Sequence, residues 1–124
     1  MTSNRKQYQY RSKFERQIAS QLKLAGVRFE YETIRLGYTR KCSYTPDFIL
    51  PNGIVIEAKG FFKPSDRTKM LAVREANPDM DIRFLFQNAK VKITKGGKTT
   101  YGDWADKKGF IWAEKDIPNT WLIQ

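Results

Sequence analysis

Histidine is absent from this sequence of 124 residues, and cysteine occurs once, at Cys42. Without histidine, the chain cannot use Ser-His or Cys-His catalysis, a two-histidine zinc site or an imidazole acid–base group. A single cysteine excludes an intrachain disulfide and a cysteine zinc site, and it is typical of a chain in a reducing compartment. Any acid–base chemistry must therefore come from carboxylates, lysines, tyrosines or metal-bound water.

Long apolar runs are also missing. No stretch approaches the roughly 18 residues of a membrane span, and residues 1–11 are polar and basic, unlike a signal peptide. We therefore expect a soluble protein of the cytoplasm without a membrane partner. The length predicts a single domain over residues 12–124, preceded by a basic N-terminal arm over residues 1–11.

The charge of the chain is strongly one-sided. Lysine and arginine number 23 against 13 aspartates and glutamates, which gives a formal charge of +10. Such an excess favours a polyanion, because basic side chains contact phosphates and release their counterions. Nucleic acid is the first candidate, although an anionic membrane surface or ribosomal RNA would attract the same charge.

The most informative stretch is YTPDFILPNGIVIEAKG, from Tyr44 to Gly60. Two short apolar runs flank Pro51-Asn52-Gly53, a turn cluster typical of a β-hairpin. If these three residues form the loop, Leu50 faces Ile54, and the ladder continues back until Asp47 lies opposite Glu57. Because side chains alternate along a strand, the pattern predicts that Asp47, Glu57 and Lys59 share one face.

Two carboxylates at this spacing require a cation, because directly opposed residues have Cβ atoms only about 4.5–5.5 Å apart and like charges repel. A divalent ion such as Mg²⁺ suits oxygen ligands and keeps waters for chemistry. Lys59 would then neutralise a phosphate oxygen or orient an attacking water. The competing interpretation is an exposed Glu57–Lys59 ion pair of little energetic value, in a basic module that binds nucleic acid without cleaving it.

The rest of the chain predicts alternating helices and strands. Ser12 to Ala25 has helical spacing, and Ser12 and Glu15 have the form of a capping box in which Glu15 returns to the Ser12 amide. Val27 to Leu36 alternates like a half-buried strand, whereas residues 37–43 give no firm indication. The remaining predicted elements are a helix over Ser65–Ala76, a strand over Ile82–Gln87 in a sheet parallel at that point, a helix from Thr100 towards Gly109 and a strand over Phe110–Trp112.

Several basic side chains are candidates for backbone phosphates of DNA. Arg11 belongs to the N-terminal arm, Arg67 and Lys69 lie on the expected outer face of the second helix, and Lys90 begins a lysine-rich loop around Gly96-Gly97. No base-reading motif is visible, which favours recognition of DNA shape over DNA sequence.

Asp47, followed by Glu57-Ala58-Lys59, has the PD-x(n)-(D/E)xK form of the restriction-endonuclease-like nucleases. More specifically, the chain resembles the phage endonuclease I family, the Holliday-junction resolvases of short-tailed lytic phages. The resemblance covers nearly the whole chain in unbroken order. The resemblance begins with the run from Ser12 through Phe29-Glu30-Tyr31-Glu32. It continues with YTPDF, LPNG, Glu57-x-Lys59-Gly60, Asp66-Arg67, Arg74-Glu75, Asp81-Ile82-Arg83, Tyr101-Gly102 and Ile117-Pro118.

The resemblance implies an α/β fold of restriction-endonuclease type, a mixed sheet flanked by helices. It implies a metal-dependent endonuclease that hydrolyses phosphodiesters at Holliday junctions and other branched DNA, with a general nuclease without branch preference as the alternative. Asp47 and Glu57 would hold Mg²⁺, or Mn²⁺ in its place, with the Ala58 carbonyl as a further ligand and Glu15 completing a second position. Lys59 would be catalytic, and no small-molecule cofactor is expected.

The same resemblance implies a homodimer in the cytoplasm of the host cell. In that family, the segment after the first strand is a bridge by which two subunits exchange their first helix and strand. Carried over, this arrangement would place Glu15 of one chain beside Asp47, Glu57 and Lys59 of the other.

Overall fold

The computed structural model describes residues 8–38 and 42–123. Within these ranges the helices are α1 (Lys13–Leu24), α2 (Pro64–Ala76), α3 (Tyr101–Lys107) and α4 (Asn119–Leu122). The strands are β1 (Glu30–Tyr31), β2 (Leu36–Tyr38), β3 (Cys42–Tyr44), β4 (Phe48–Ile49), β5 (Ile54–Lys59), β6 (Asp81–Phe86) and β7 (Ile111–Glu114). Each of the helices described is too short or too polar to span a bilayer.

The main sheet is mixed and has the strand order β1-β4-β5-β6-β7, while β2 and β3 form a separate ribbon. β1, β4 and β5 are antiparallel neighbours, whereas β5, β6 and β7 run parallel. Helix α2 connects the parallel strands β5 and β6, which is the connection that a parallel pair requires. The predicted α/β fold with a mixed sheet flanked by helices is therefore confirmed.

The predicted hairpin has the predicted register. Phe48 pairs with Ile56 and Ile49 with Val55, and the Leu50 amide donates to the Ile54 carbonyl at 2.9 Å. Gly53 has a φ of +91°, a conformation that favours glycine because it has no Cβ. The register places Asp47 opposite Glu57, as the turn cluster and the alternating side chains predicted.

The two faces of the sheet support separate cores. On one face, α1 and the C-terminal Trp121 pack on Phe48, Ile56 and Leu85. On the other face, α2 and α3 cover Val55, Phe84 and Phe86 with a group of packed aromatic rings. Successive β5 side chains enter opposite cores, so the strand positions Glu57 on the α2 face.

The strand predicted over Val27–Leu36 is wrong in its extent. Only Glu30 and Tyr31 join the main sheet, and Leu36 opens β2. Between them Glu32 has a φ of +52°, which interrupts an extended strand. No firm structure was predicted for residues 37–43. Residues 37–38 and 42–43 belong to the β2–β3 ribbon, and residues 39–41 lie outside the described ranges.

The other elements lie near their predicted positions. Helix α2 begins one residue before the predicted start, with Lys63 as its N-cap and Pro64 in its first turn. Asp66, at the third position of the helix, accepts from the Lys63 amide at 3.2 Å. Helix α3 begins after Thr100, which is its N-cap, and Trp121 is buried.

Candidate metal centre

Asp47 and Glu57 come from adjoining strands, and both side chains are buried. Asp47 precedes β4 and is 7 % exposed, while Glu57 lies within β5 and is 5 % exposed. Oδ2 of Asp47 accepts a hydrogen bond from the Ala58 amide at 2.9 Å. This bond fixes the Asp47 carboxylate against the backbone of β5, beside Glu57.

Both oxygens of the Glu57 carboxylate have partners. The buried Tyr44 hydroxyl donates to Oε1, and the Lys59 ammonium lies 3.0 Å from Oε2. Burial, followed by the charge of Glu57, raises the pKa of Tyr44, so Tyr44 remains a proton donor at neutral pH. Glu57 is therefore held in a defined orientation by a neutral and a cationic donor.

Lys59 lies between two carboxylates. Besides Glu57, its ammonium is 3.8 Å from Oδ1 of Asp66 at the start of α2. Burial lowers the pKa of Lys59, but the charge of Glu57, its hydrogen bond and the charge of Asp66 outweigh burial and leave that pKa raised. Lys59 is consequently a cation at neutral pH.

Glu15 reaches the same region from α1 and is 8 % exposed. The predicted capping box is only half present. The Ser12 hydroxyl accepts from the Glu15 amide at 3.0 Å, but Glu15 does not return to the Ser12 amide. Its Oε1 accepts instead from the Arg11 amide at 2.8 Å and from the Tyr31 hydroxyl at 2.6 Å. The bond to Tyr31 holds the Glu15 carboxylate towards β1.

Three carboxylates converge on the side of Asp47 that faces α1. One oxygen each from Glu15, Glu32 and Asp47 lies within 4.8 Å of the others. Glu32 was missed at the sequence level, because alternation assigned it to the polar face of a continuous strand. Its membership of the Phe29–Glu32 motif was the only indication in the sequence. Glu32 has a positive φ, so the strand ends at the residue whose carboxylate joins the cluster.

The electrostatics of Asp47 favour a cation. Burial, followed by the charge of Glu57, raises the pKa of Asp47 well above its ordinary value, and the charge of Glu15 adds to this effect. A neighbouring cation would reverse it, because an opposite charge favours the ionised carboxylate. The donor atoms are all oxygens, which suit Mg²⁺ or Mn²⁺ better than a soft metal. The residues present therefore fit a hard divalent ion.

The four predicted phosphate contacts have different surroundings. Lys90 is exposed, and Arg11 is exposed with its guanidinium 3.3 Å from Glu32. Arg67 donates to the Phe62 carbonyl at 2.8 Å, and the Lys69 ammonium lies 5.6 Å from the centre of the Tyr44 ring. Arg67 and Lys69 are thus half-buried and bind protein groups, in contrast to the outward positions predicted for them.

Comparison with known proteins gives a consistent result. The family described as phage endonuclease I matches residues 1–124. The chain is 42 % identical over 116 residues to Endonuclease I of Escherichia phage T7, an alignment that covers 91 % of this chain and 78 % of that protein. It is 45 % identical over 112 residues to Endodeoxyribonuclease 1 of Enterobacteria phage T3, covering 88 % and 74 %.

Proposed function

This chain belongs to the phage endonuclease I family, and from that premise we propose that it is a metal-dependent DNA endonuclease which hydrolyses phosphodiesters at four-way junctions and other branched DNA. The names of the T7 and T3 relatives describe endonucleases, and that of the T3 protein specifies DNA. The net charge of +10 suits the same polyanionic substrate.

The observation that carries this proposal is the central position of Asp47. On one side it joins Glu15 and Glu32 in a cluster of carboxylate oxygens. On the other side it is bonded to the backbone between Glu57 and Lys59. One buried aspartate therefore links the α1 carboxylate with the Glu-x-Lys pair of β5.

The ligands of the proposed metal ion surround Asp47. Asp47 and Glu57 would hold Mg²⁺, with the Ala58 carbonyl as a further oxygen ligand, and Glu15 would complete a second position together with Asp47. Mn²⁺ substitutes for Mg²⁺. When bound, the ion supplies a water of lowered pKa and offsets charge on the scissile phosphate. Glu32 lies close enough to Glu15 and Asp47 to join the second position.

The protein's own contribution is to position charge. Tyr44 and Lys59 orient the Glu57 carboxylate. The Lys59 ammonium is a cation fixed beside the acids, where it orients the attacking water or offsets the developing negative charge on the phosphate. Histidine is absent, so these tasks fall to Lys59 and the carboxylates.

Arg11 and Lys90 contact DNA phosphates, and the basic sequence of residues 1–11 adds positive charge for the same substrate. Arg67 and Lys69 add positive potential close to Glu57 rather than free contacts, because their charged groups already pack on Phe62 and Tyr44. The chain acts as a homodimer in the host cytoplasm, and residues 12–124 form one nuclease domain. Glu15 and Asp47 meet within a single chain here; exchange of the first helix and strand between subunits stays a prediction.

The test compares cleavage of a labelled immobile four-way junction with cleavage of the matched linear duplex, in Mg²⁺, Mn²⁺ and EDTA. We expect the junction to be cut in either metal, the duplex to be cut much more slowly, and both reactions to stop in EDTA. Equal rates on the two substrates would support the general nuclease alternative. Binding of both substrates without cleavage in any metal would support the non-catalytic module.

Tyr44→Phe tests the orientation of Glu57. Removing the hydroxyl leaves a buried carboxylate oxygen without its donor, so we expect a loss of about 1–3 kcal/mol in the free energy of unfolding and a slower junction cleavage. Urea unfolding and single-turnover rates measure the two effects. Tyr101→Phe is the matched control, because its hydroxyl is also buried but accepts from a backbone amide, that of Phe62. Equal rate losses in both variants would refute a specific role of Tyr44.

A further inference from the structure

Asp66 is a second anion beside the catalytic lysine. Its Oδ1 lies 3.8 Å from the Lys59 ammonium, which is 3.0 Å from Glu57 on its other side. The side chains of Lys59 and Asp66 are only 18 % and 20 % exposed, so the pair is shielded from much of the solvent. From this arrangement we propose that Asp66 is a positioning residue for Lys59, an inference that rests on the proposed nuclease function.

Asp66 is held rigidly enough for this task. It lies at the third position of α2, where its Oδ2 accepts from the Lys63 amide at 3.2 Å. An acid in the first turn also benefits from the helix dipole. One oxygen therefore anchors the carboxylate to the helix start, while the other is directed towards the Lys59 ammonium.

The need for a second anion follows from the two demands on Glu57. Glu57 is the nearer partner of Lys59, and it is also a proposed cation ligand. A carboxylate that binds a divalent ion gives up much of its attraction for a neighbouring ammonium, because its charge is offset by the ion. Asp66 then becomes the anion that keeps Lys59 in place beside the scissile phosphate.

The chain provides a control for the purely structural role of Asp66. Asp103 occupies the same third position in α3, where it accepts from the Thr100 amide at 3.1 Å. Within the described ranges, Lys59 forms ion pairs with Glu57 and Asp66 but not with Asp103. An Asp→Asn change keeps an oxygen acceptor for the helix cap at either position but removes the charge, so the two variants separate capping from positioning.

The experiment measures single-turnover junction cleavage at saturating enzyme and Mg²⁺, junction binding in Ca²⁺, and thermal unfolding for Asp66→Asn, Asp103→Asn and Asp66→Glu. We expect Asp66→Asn to lower the rate roughly 5- to 50-fold, within the ~100-fold that a 1 Å misplacement costs, with binding within about twofold of wild type. Asp103→Asn should keep the wild-type rate despite a comparable change in unfolding temperature. Asp66→Glu should recover most of the lost rate.

A second readout does not depend on activity. In ¹⁵N-lysine NMR spectra recorded in Mg²⁺ and assigned with Lys59→Arg, the Lys59 ammonium signal should be sharp and slowly exchanging in the wild type and broadened in Asp66→Asn. Unchanged cleavage in Asp66→Asn, equal losses in both Asn variants, or an unaltered Lys59 signal would overturn the positioning role. A wild-type protein that leaves all DNA uncut would instead overturn the proposed function, which keeps the two failures distinct.

Discussion

Asp47→Asn should abolish DNA cleavage and at the same time stabilise the protein. Asp47 is the ligand shared by both proposed cation positions, so its loss should slow junction cleavage by at least about 10³-fold. In the absence of a divalent ion, however, its buried charge faces Glu57 and Glu15. Removing that charge relieves repulsion while the amide oxygen can still accept from the Ala58 amide.

The stabilisation should depend on pH. Burial, followed by the charge of Glu57, raises the pKa of Asp47 in the folded chain above its ordinary value of 3.8. The folded state therefore keeps the Asp47 carboxyl protonated at pH values where the unfolded chain has lost that proton. The contribution of Asp47 to stability is most favourable below the unfolded pKa, and it falls as pH rises towards and through the folded pKa.

Thermal unfolding in EDTA between pH 4 and pH 8 measures this effect. At pH 7 we expect Asp47→Asn to unfold roughly 3–6 °C above the wild type, which corresponds to about 1 kcal/mol. The difference between the two unfolding temperatures should become smaller as pH falls. Mg²⁺ should raise the unfolding temperature of the wild type alone. Asp79→Asn, an exposed acid of the α2–β6 connection, is the control. A variant no more stable than wild type at neutral pH would contradict the repulsion assigned to Asp47.

Lys59→Met should also abolish cleavage but should destabilise the fold. The substitution preserves much of the side-chain length, yet it leaves the buried Glu57 without its cation and removes the partner of Asp66. Losing one member of a buried pair leaves an uncompensated charge. Because Lys59 is partly exposed, we expect a loss of about 1–3 kcal/mol, below the range for a fully buried pair, and junction cleavage slowed by at least about 100-fold.

Urea unfolding and single-turnover cleavage measure these two effects. Lys107→Met on the exposed end of α3 controls for the loss of one positive charge. The two variants should have opposite effects on stability, because removing the Asp47 charge relieves its repulsion with Glu57, whereas removing Lys59 leaves Glu57 without its cation. A Lys59→Met protein that cuts the junction within a few-fold of wild type would show that the ammonium takes no part in the reaction.

The sequence predicted the hairpin and its register because local chemistry determines both. Pro51-Asn52-Gly53 sets the turn, and the alternating runs around it leave one pairing that buries Phe48 and Ile56 together. The opposition of Asp47 and Glu57 follows from that pairing alone. The parallel β5–β6 pair was likewise predictable, because a helix of this length connects strands that run in the same direction.

Other features depend on contacts between residues distant in sequence. Glu32 lies beside Glu15 and Asp47, at the residue of positive φ where the strand that alternation predicted ends. Glu15 has the spacing of a capping box, but the Tyr31 hydroxyl of another element competes for its carboxylate. The position of Arg67 on α2 predicted an outward side chain, yet its guanidinium donates to the Phe62 carbonyl. In each case tertiary contacts outweighed the local pattern.

Anomalous diffraction from crystals grown in Mn²⁺ would test the shared cation most directly. The metal assignment predicts an anomalous peak bound by the Asp47 carboxylate, with Glu57 or Glu15 as a second ligand, and it predicts that this peak is lost in Asp47→Asn. Bound Mn²⁺ elsewhere on the chain with none at Asp47, or the same peak in Asp47→Asn crystals, would contradict the assignment.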